Sequence, residues 1–517
     1  MSTAPAQGKS VDTTLRVCAV IAVVGLVVLL TFVPVATNDF WLQAKIGELI
    51  VDNGAIPRTV LFPFTWVQDN GFNAHEWLPS IVFHGLDQAL GDDHLLFAQG
   101  VAGLILFGLC LVLTRRLSRS LGVGLLLASL GMVVANYRFH LRPEVFALWG
   151  FVLLMLVLSS YRAHRDWRTL LWAVPIAVLW ANSHGSFLVG PVLAVLFAAG
   201  ESAESFRRGA AQPLNTRLKA AGRAGAPYAL VAGVMALCSL ANPLGIELLH
   251  FALTLSASEV TKTFVDEWQP TLSAGFVGRW PFRFFIAAVI GTLAVVVACR
   301  RRVTMTDILV LAAFGLLAFQ RTRFIVFFAF AAAMVCARLI GEKPPRVRTE
   351  RVLLAAATIT GGIGIALAIQ FGNVWGGFPY LVPSSNFTEP MINRLARPEM
   401  RGNVFNSYEL GAELTYRAYP RLRPSMDSRI DSYGDTYFLL QKQLLVDEPL
   451  LKEFIADFDV RYMLLSRRDF ELVKQMKSLQ ATWHADFIDH KAVLLARNAN
   501  APAAAGSAAQ SSAAHKH

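Results

Sequence analysis

Charge is scarce in this sequence. Only 16% of the 517 residues are Asp, Glu, Lys or Arg, and 55% are hydrophobic, whereas soluble domains carry roughly 25% charge. So large a deficit excludes a single soluble core and points to long apolar runs. Cysteine is scarce too. Cys18, Cys110, Cys238, Cys299 and Cys336 each fall within an apolar run, with no CxxC pair and no metal spacing. That excludes a disulfide framework and reads as small buried hydrophobes. A cleavable signal pattern is also lacking: the first apolar run is long and has no small-residue cleavage site before Asp39, so it reads as a retained anchor. There is no repeat of solenoid length and no clear inverted repeat.

Apolar runs dominate what is present. A spanning helix needs about 20 apolar residues to cross a hydrocarbon core of roughly 30 Å. Runs lie near 15–37, 94–114, 121–136, 144–160, 169–182, 186–203, 226–246, 282–299, 304–320, 323–341 and 352–371. The expected fold class is an all-α polytopic membrane bundle of about eleven transmembrane helices with a small C-terminal α/β extracytoplasmic domain. The net charge of +11 does not indicate nucleic acid, because the Lys and Arg residues sit between apolar runs, where they set orientation. Alternate loops are basic, among them Arg115–Arg119, Arg162–Arg168, Arg207–Arg223 and Arg300–Arg302. The positive-inside rule puts these in the cytoplasm, with the N-terminus inside and the C-terminal domain outside. Only the turn carrying Arg321 and Arg323 breaks the pattern, and arginines on the outer side want an anionic partner.

The expected boundaries are a cytoplasmic tail over 1–14, a transmembrane domain over 15–371 with a long first external loop at 38–93, an extracytoplasmic α/β domain over 372–500 and a disordered Ala/Ser-rich tail over 501–517. Within the C-terminal domain, Glu448–Phe458 reads as helix, and Val460–Ser466 and Lys491–Arg497 as strands. In the first loop, apolar residues at helical spacing through Trp41, Ile46, Leu49 and Ile50 read as an amphipathic interfacial helix with Trp41 as anchor, ended by Gly54 and Pro57. A second amphipathic helix begins near His75-Glu76-Trp77 and runs to Leu90.

Polar residues collect in the outer loops. Asp39 stands where the first span meets the outer surface. A carboxylate there is costly unless it works or is paired, although it also suits the cap of the following helix. Arg138, His140, Arg142 and Glu144 lie between the third and fourth spans. Guanidinium groups suit phosphate, the alternative being an internal pair of Arg142 with Glu144 or Asp39. Asn182 and His184 form the turn after the fifth span, Asn242-Pro243 ends the seventh, and Asp266, Glu267, Arg321 and Arg323 complete the outer set. Such a rim suits a ligand with a lipid tail and a phosphate head.

Several short motifs are similar to those of the GT-C superfamily of membrane glycosyltransferases: Asp39-Phe40-Trp41, Asn53-Gly54-Ala55-Ile56-Pro57-Arg58, His75-Glu76-Trp77-Leu78, Arg142-Pro143-Glu144, Trp180–Gly185, Asn242-Pro243, Asn403–Tyr408, and Asp427-Ser428-Arg429 with Tyr433. More narrowly, the chain resembles the protein mannosyltransferases that use dolichyl-phosphate-mannose and the RgtA/B/C/D-like bacterial group. Two departures stand out: many mannosyltransferases carry two adjacent acids where this chain has Asn38-Asp39, and related bacterial sequences often carry histidine in place of Gln43. The resemblance implies transfer of a sugar from a polyprenyl-phosphate donor to an envelope acceptor (glycan, lipid or protein) at the outer face of a bacterial inner membrane. It maps the family's acidic residue onto Asp39, as base or as ligand of a divalent metal, Mg or Mn. His75 and Glu76 would assist, and Arg138, Arg142, Arg321 and Arg323 would clamp phosphate. A lipid-linked-glycan flippase or polymerase-like protein, or an inactive membrane scaffold, are the alternatives.

Overall fold

The computed structural model describes residues 4–33, 37–257, 262–263, 265–341, 345–374 and 385–498. Among them, nine helices are long and apolar enough to cross a bilayer: Thr13–Thr31, Asp92–Ser118, Leu121–Arg138, Glu144–His164, Gly185–Arg208, Leu214–Ala241, Trp280–Ala298, Thr322–Ile340 and Val347–Gln370. Two shorter apolar helices, Trp167–Ala181 and Met305–Gln320, fall between them. These match the apolar runs of the sequence one for one. The chain is a multi-pass membrane protein.

The residues group into two compact units. One comprises 1–34, 93–252 and 262–382; the other comprises 35–92, 253–261 and 383–517. The first loop, placed with the spans on sequence, thus shares its contacts with the C-terminal segment.

In the membrane unit, nearly every residue of Ile325–Leu339 is buried, so that helix is central. Trp280–Ala298 instead exposes Ile290, Leu293 and Val297, as a helix at the edge of a bundle does in lipid. Small residues let backbones approach: a Cβ on Gly361 would stand 2.8 Å from the carbonyl carbon of Ala22. Cys110 and Cys336 are buried as expected, but Cys18 is exposed, because it shares the outward side of its helix with Val17 and Ile21.

In the second unit, β1 (Gly402–Asn406), β2 (Leu422–Pro424), β3 (Val460–Ser466), β4 (Trp483–Ile488) and β5 (Ala492–Arg497) form one sheet in the order β2-β1-β3-β5-β4. β1 runs parallel to β2 and β3, and β5 antiparallel to β3 and β4. Strand side chains alternate between faces, and the core divides accordingly. Phe405, Met463, Leu465, Val493 and Leu495 pack with Leu451, Phe454 and Ile455 of the helix Glu448–Asp457. Val404, Leu464 and Leu494 pack on the other face with Leu410 and Leu414 of the helix Tyr408–Ala418.

The first loop is built into this domain. Phe64 enters the first of these cores, against Phe454 and Phe458, and its amide donates to Pro424 O (3.2 Å). Arg429 pairs with buried Asp427 and lies 4.4 Å over the ring of Phe72 and 5.1 Å over that of Phe62. Asp427-Ser428-Arg429 therefore ties the loop to the sheet domain.

Candidate functional site

The arginine cluster of the membrane unit forms at the ends of three spans. Arg138 ends the helical stretch Leu121–Arg138, Glu144 opens Glu144–His164 and Arg323 lies in the first turn of Thr322–Ile340. Glu267 comes from the loop turn Asp266–Trp268. Thr322 pins that turn: its amide donates to Gln269 O (3.1 Å) and its Oγ1 to Glu267 O (3.1 Å). Arg138 NH2 donates to Glu144 Oε2 (2.5 Å), and NH1 makes a short bond to Glu267 Oε2. Arg142 NH2 reaches the same oxygen at 3.4 Å, and Arg323 NH1 stands 3.8 Å from Glu267 Oε1. Arg323 also lies over the ring of Trp268 at 4.3 Å. Burial pushes the Glu267 carboxyl up, but Arg138, Arg142 and Arg323 together outweigh it and hold the group well below the usual carboxylate range. Among the described residues, two buried atoms of the cluster, Arg138 Nε and Glu144 Oε1, have no hydrogen-bond partner.

His140 sits in the same loop, half-buried, its buried Nδ1 without a hydrogen-bond partner among the described residues. Burial, then the charges of Arg142 and Arg138, push its pKa down to about 4. The unfolded chain takes up this proton near pH 6.5. Between these values the unfolded state binds more protons, so stability falls as pH drops from 6.5 towards 4. The loss amounts to roughly 3 kcal/mol. Thermal unfolding of detergent-solubilised protein at pH 7.5 and pH 5 checks this, with His140→Asn flattening the dependence. Equal slopes in both proteins would remove His140 as the cause.

The loop is fixed by a residue that sequence reasoning missed. Gln99 is fully buried. Its amide nitrogen donates to Thr31 O (3.3 Å) and Val33 O (3.0 Å), and its oxygen accepts from Leu141 N (2.9 Å). A lone glutamine inside an apolar span was the available signal. Asn182 and His184 are joined instead to local turn chemistry. Asn182 Nδ2 donates to Val178 O (2.8 Å). His184 caps the short helix Gly185–Leu188, its Nδ1 accepting from Ser186 N (3.1 Å). Asn242 secures that turn by donating to Ala181 O (3.0 Å). Arg321 ends the helix Met305–Gln320. The side chain of Asp266 lies outside the described residues.

In the second unit, Asp39 occupies the first turn of the helix Asn38–Asn53. The cap is Thr37, whose side chain accepts from Phe40 N (3.3 Å), so the capping role that Asp39 suited falls to its neighbour. One turn on, Gln43 Nε2 donates to Glu76 Oε2 (2.7 Å), and Ser80 Oγ makes a short bond to Gln43 Oε1. His75 Nε2 lies 3.6 Å from Glu76 Oε1, and its Nδ1 lies 3.0 Å from Asn73 O. Residues four apart share a helix face. Asp39 therefore stands on the side of its helix where Gln43 orients Glu76, and Glu76 meets His75. The two helices can approach this closely because position 47 is glycine: a Cβ there would stand 2.0 Å from Ser80 O. Among the described residues no three His, Cys, Asp or Glu side chains gather as a metal group requires.

Trp41 corrects the interfacial reading of this helix. It is fully buried, along with Phe40, beneath Tyr416 (5.0 Å between ring centroids) and Arg417 (4.9 Å). Arg417 in turn pairs with Glu413 and Asp92, each at 2.6 Å. The apolar face covers the helix Tyr408–Ala418, where sequence periodicity alone suggested lipid.

Comparison with solved structures finds a similar fold in an archaeal oligosaccharyltransferase and in the bacterial protein ArnT. AglB, the oligosaccharyltransferase of Archaeoglobus fulgidus, in complex with an inhibitory peptide and a dolichol-phosphate, superposes with a TM-score of 0.56 at 12% identity, over 95% of this chain and 75% of its own. The apo form of the Archaeoglobus fulgidus oligosaccharyltransferase gives 0.51 at 13%, over 88% and 69%. ArnT from Cupriavidus metallidurans, bound to undecaprenyl phosphate, gives 0.50 at 15%, over 94% and 98%. At these identities the similarity is one of fold. No family model and no curated protein matches the sequence.

Proposed function

We propose that this chain is an integral membrane glycosyltransferase that moves a sugar from a polyprenyl-phosphate carrier to an envelope acceptor on the outer face of a bacterial inner membrane. The observation that carries the reading is the convergence of three guanidinium groups in the membrane unit: Arg138, Arg142 and Arg323 gather on the one carboxylate of Glu267. Such a gathering at the ends of spans suits a phosphate whose lipid tail lies in the bilayer. The fold is shared with a protein bound to undecaprenyl phosphate and with one in complex with a dolichol-phosphate, which supports the same carrier class.

In the proposed reaction an acceptor hydroxyl oxygen attacks the anomeric carbon. The bond from that carbon to the phosphate oxygen breaks, and the phosphate leaves with the electron pair. Asp39 takes the hydroxyl proton, with Gln43, Glu76 and His75 setting its surroundings. Arg138, Arg142 and Arg323 stabilise the charge that grows on the phosphate, with Arg321 supplying a further cation. His140, Glu144, Asn182, His184, Asp266 and Glu267 are proposed to shape the substrate site. The N-terminus is assigned to the cytoplasm. The first loop and the domain at 385–497 are assigned to the outer side.

Purified protein offered a panel of radiolabelled polyprenyl-phosphate sugars, with membrane extract as acceptor, is expected to transfer one of them with inversion at the anomeric carbon. Absence of transfer by folded protein would overturn the enzyme reading, and retention would overturn single displacement.

A further inference from the structure

Glu267 occupies the position in the arginine cluster that a phosphate would want. Its two oxygens are approached by three guanidinium groups: Arg138 and Arg142 at Oε2 and Arg323 at Oε1. That is how a phosphate oxyanion gathers arginines. The other carboxylate, Glu144, is different in kind. It and Arg138 are each more than nine-tenths buried and paired at 2.5 Å, and it comes from a membrane-spanning helix. Glu267 is reached from a loop, and it and Arg142 are the more exposed members, at 18% and 22%. The backbone at Glu267 is held by Thr322 through Glu267 O, while its side chain keeps three rotatable bonds. The carboxylate can therefore swing away without unfolding the loop. Among the described residues, buried Arg138 retains one unpartnered donor, Nε.

We infer that Glu267 is a resident counter-ion which holds Arg138, Arg142 and Arg323 in place in the empty protein and is displaced by the phosphate of the lipid carrier. The inference rests on the phosphate-binding reading of this cluster and deepens it. Charge makes the exchange reasonable. With Glu267 in place, the guanidinium groups of Arg138, Arg142 and Arg323 share its carboxylate. With Glu267 swung out, that negative charge leaves and the cluster becomes more positive by one unit. A polyprenyl phosphate sugar is a diester with one negative charge, whereas the polyprenyl phosphate left after transfer is a monoester that approaches two. The opened cluster therefore matches the leaving group better than the donor. That is the sense in which an electrostatic site should be selective. The returning carboxylate competes with the spent carrier for the same arginines and so favours its release. Without such a counter-ion, three arginines would repel one another in a site partly shielded from water, at a cost the fold would have to offset.

The test measures binding of a short-chain polyprenyl phosphate, and separately of inorganic phosphate, to the full chain in detergent. Wild type, Glu267→Gln, Glu267→Asp and Arg142→Gln are compared by calorimetry and by thermal unfolding with and without ligand. Glu267→Gln keeps the shape and removes the competing charge. It is expected to melt lower than wild type when empty, to bind the lipid phosphate at least about tenfold tighter, ~1.4 kcal/mol, and to gain more thermal stability from the ligand than wild type does. Glu267→Asp, which keeps the charge but retracts it, is expected to fall between the two and serves if Glu267→Gln does not fold. Tightening for inorganic phosphate as well would assign the competition to the headgroup. Tightening for the lipid alone would mean that the exchange also needs the tail. A purely structural Glu267 predicts the reverse, with lower empty stability and weaker binding together, and that result would overturn the inference. Failure of the underlying reading looks different: wild type and Arg142→Gln would bind lipid phosphate equally, or neither would bind it.

Discussion

Asp39→Asn is expected to lower the rate of sugar transfer by about 10²–10⁴-fold, the usual contribution of one positioned general base. The loss should fall on kcat and leave KM nearly unchanged, because a base acts as the transition state forms and not when substrate binds. The fold should tolerate the change. Thr37, not Asp39, caps the helix Asn38–Asn53, and the buried residues of that helix are its apolar ones together with Lys45. The charge of Asp39 at the helix N-terminus contributes roughly 0.3–1 kcal/mol. A small shift in unfolding temperature beside a collapse of turnover would separate chemistry from folding. Turnover at the wild-type level would take the base role from Asp39 and move it to Glu76 or His75. Glu76 accepts from Gln43, one turn from Asp39, and His75 stands beside Glu76, so Glu76→Gln and His75→Asn would then be the variants to compare.

Much of this architecture was legible before any coordinates, and the reason differs between levels. The apolar runs were readable because a bilayer imposes a length and a composition on each span, and all of them correspond to helices. The C-terminal helix Glu448–Asp457 and the strands β3 and β5 were readable from local pattern, and Gly54 was readable as a stop because a left-handed residue follows the helix there (φ +61°). The partners of Trp41 were not readable. Its apolar face has the same periodicity whether it lies on lipid or on a protein helix, and Tyr416 and Arg417 are far away in sequence. Glu267 stood among the candidate residues, but its role at the centre of the arginines was hidden for the same reason: Arg138 and Glu267 are 129 residues apart. Gln99 was passed over as one polar residue in an apolar run, although it ties the loop that carries His140 and Arg142 to the end of the first span.

Removing Arg138 should produce the largest loss of stability in the membrane unit. Its guanidinium joins Glu144 and Glu267, and its side chain is 7% exposed. Without it, Glu267 keeps Arg142 and Arg323, but Glu144, with its side chain 4% exposed, loses the arginine that neutralises it. An uncompensated buried charge of this kind costs about 3–5 kcal/mol. Arg138→Met is therefore expected to unfold at a clearly lower temperature in detergent. Adding Glu144→Gln should recover much of the loss, because the stranded charge goes with it, and the double-mutant cycle should give a coupling on the order of 0.5–3 kcal/mol. Transfer should not recover with stability, since the double variant has lost the most buried of the arginines proposed to receive the phosphate. That divergence separates two roles of one residue. Additive losses in the cycle would show that Arg138 and Glu144 act independently. Recovery of both stability and transfer would place phosphate recognition on Arg142 and Arg323 alone.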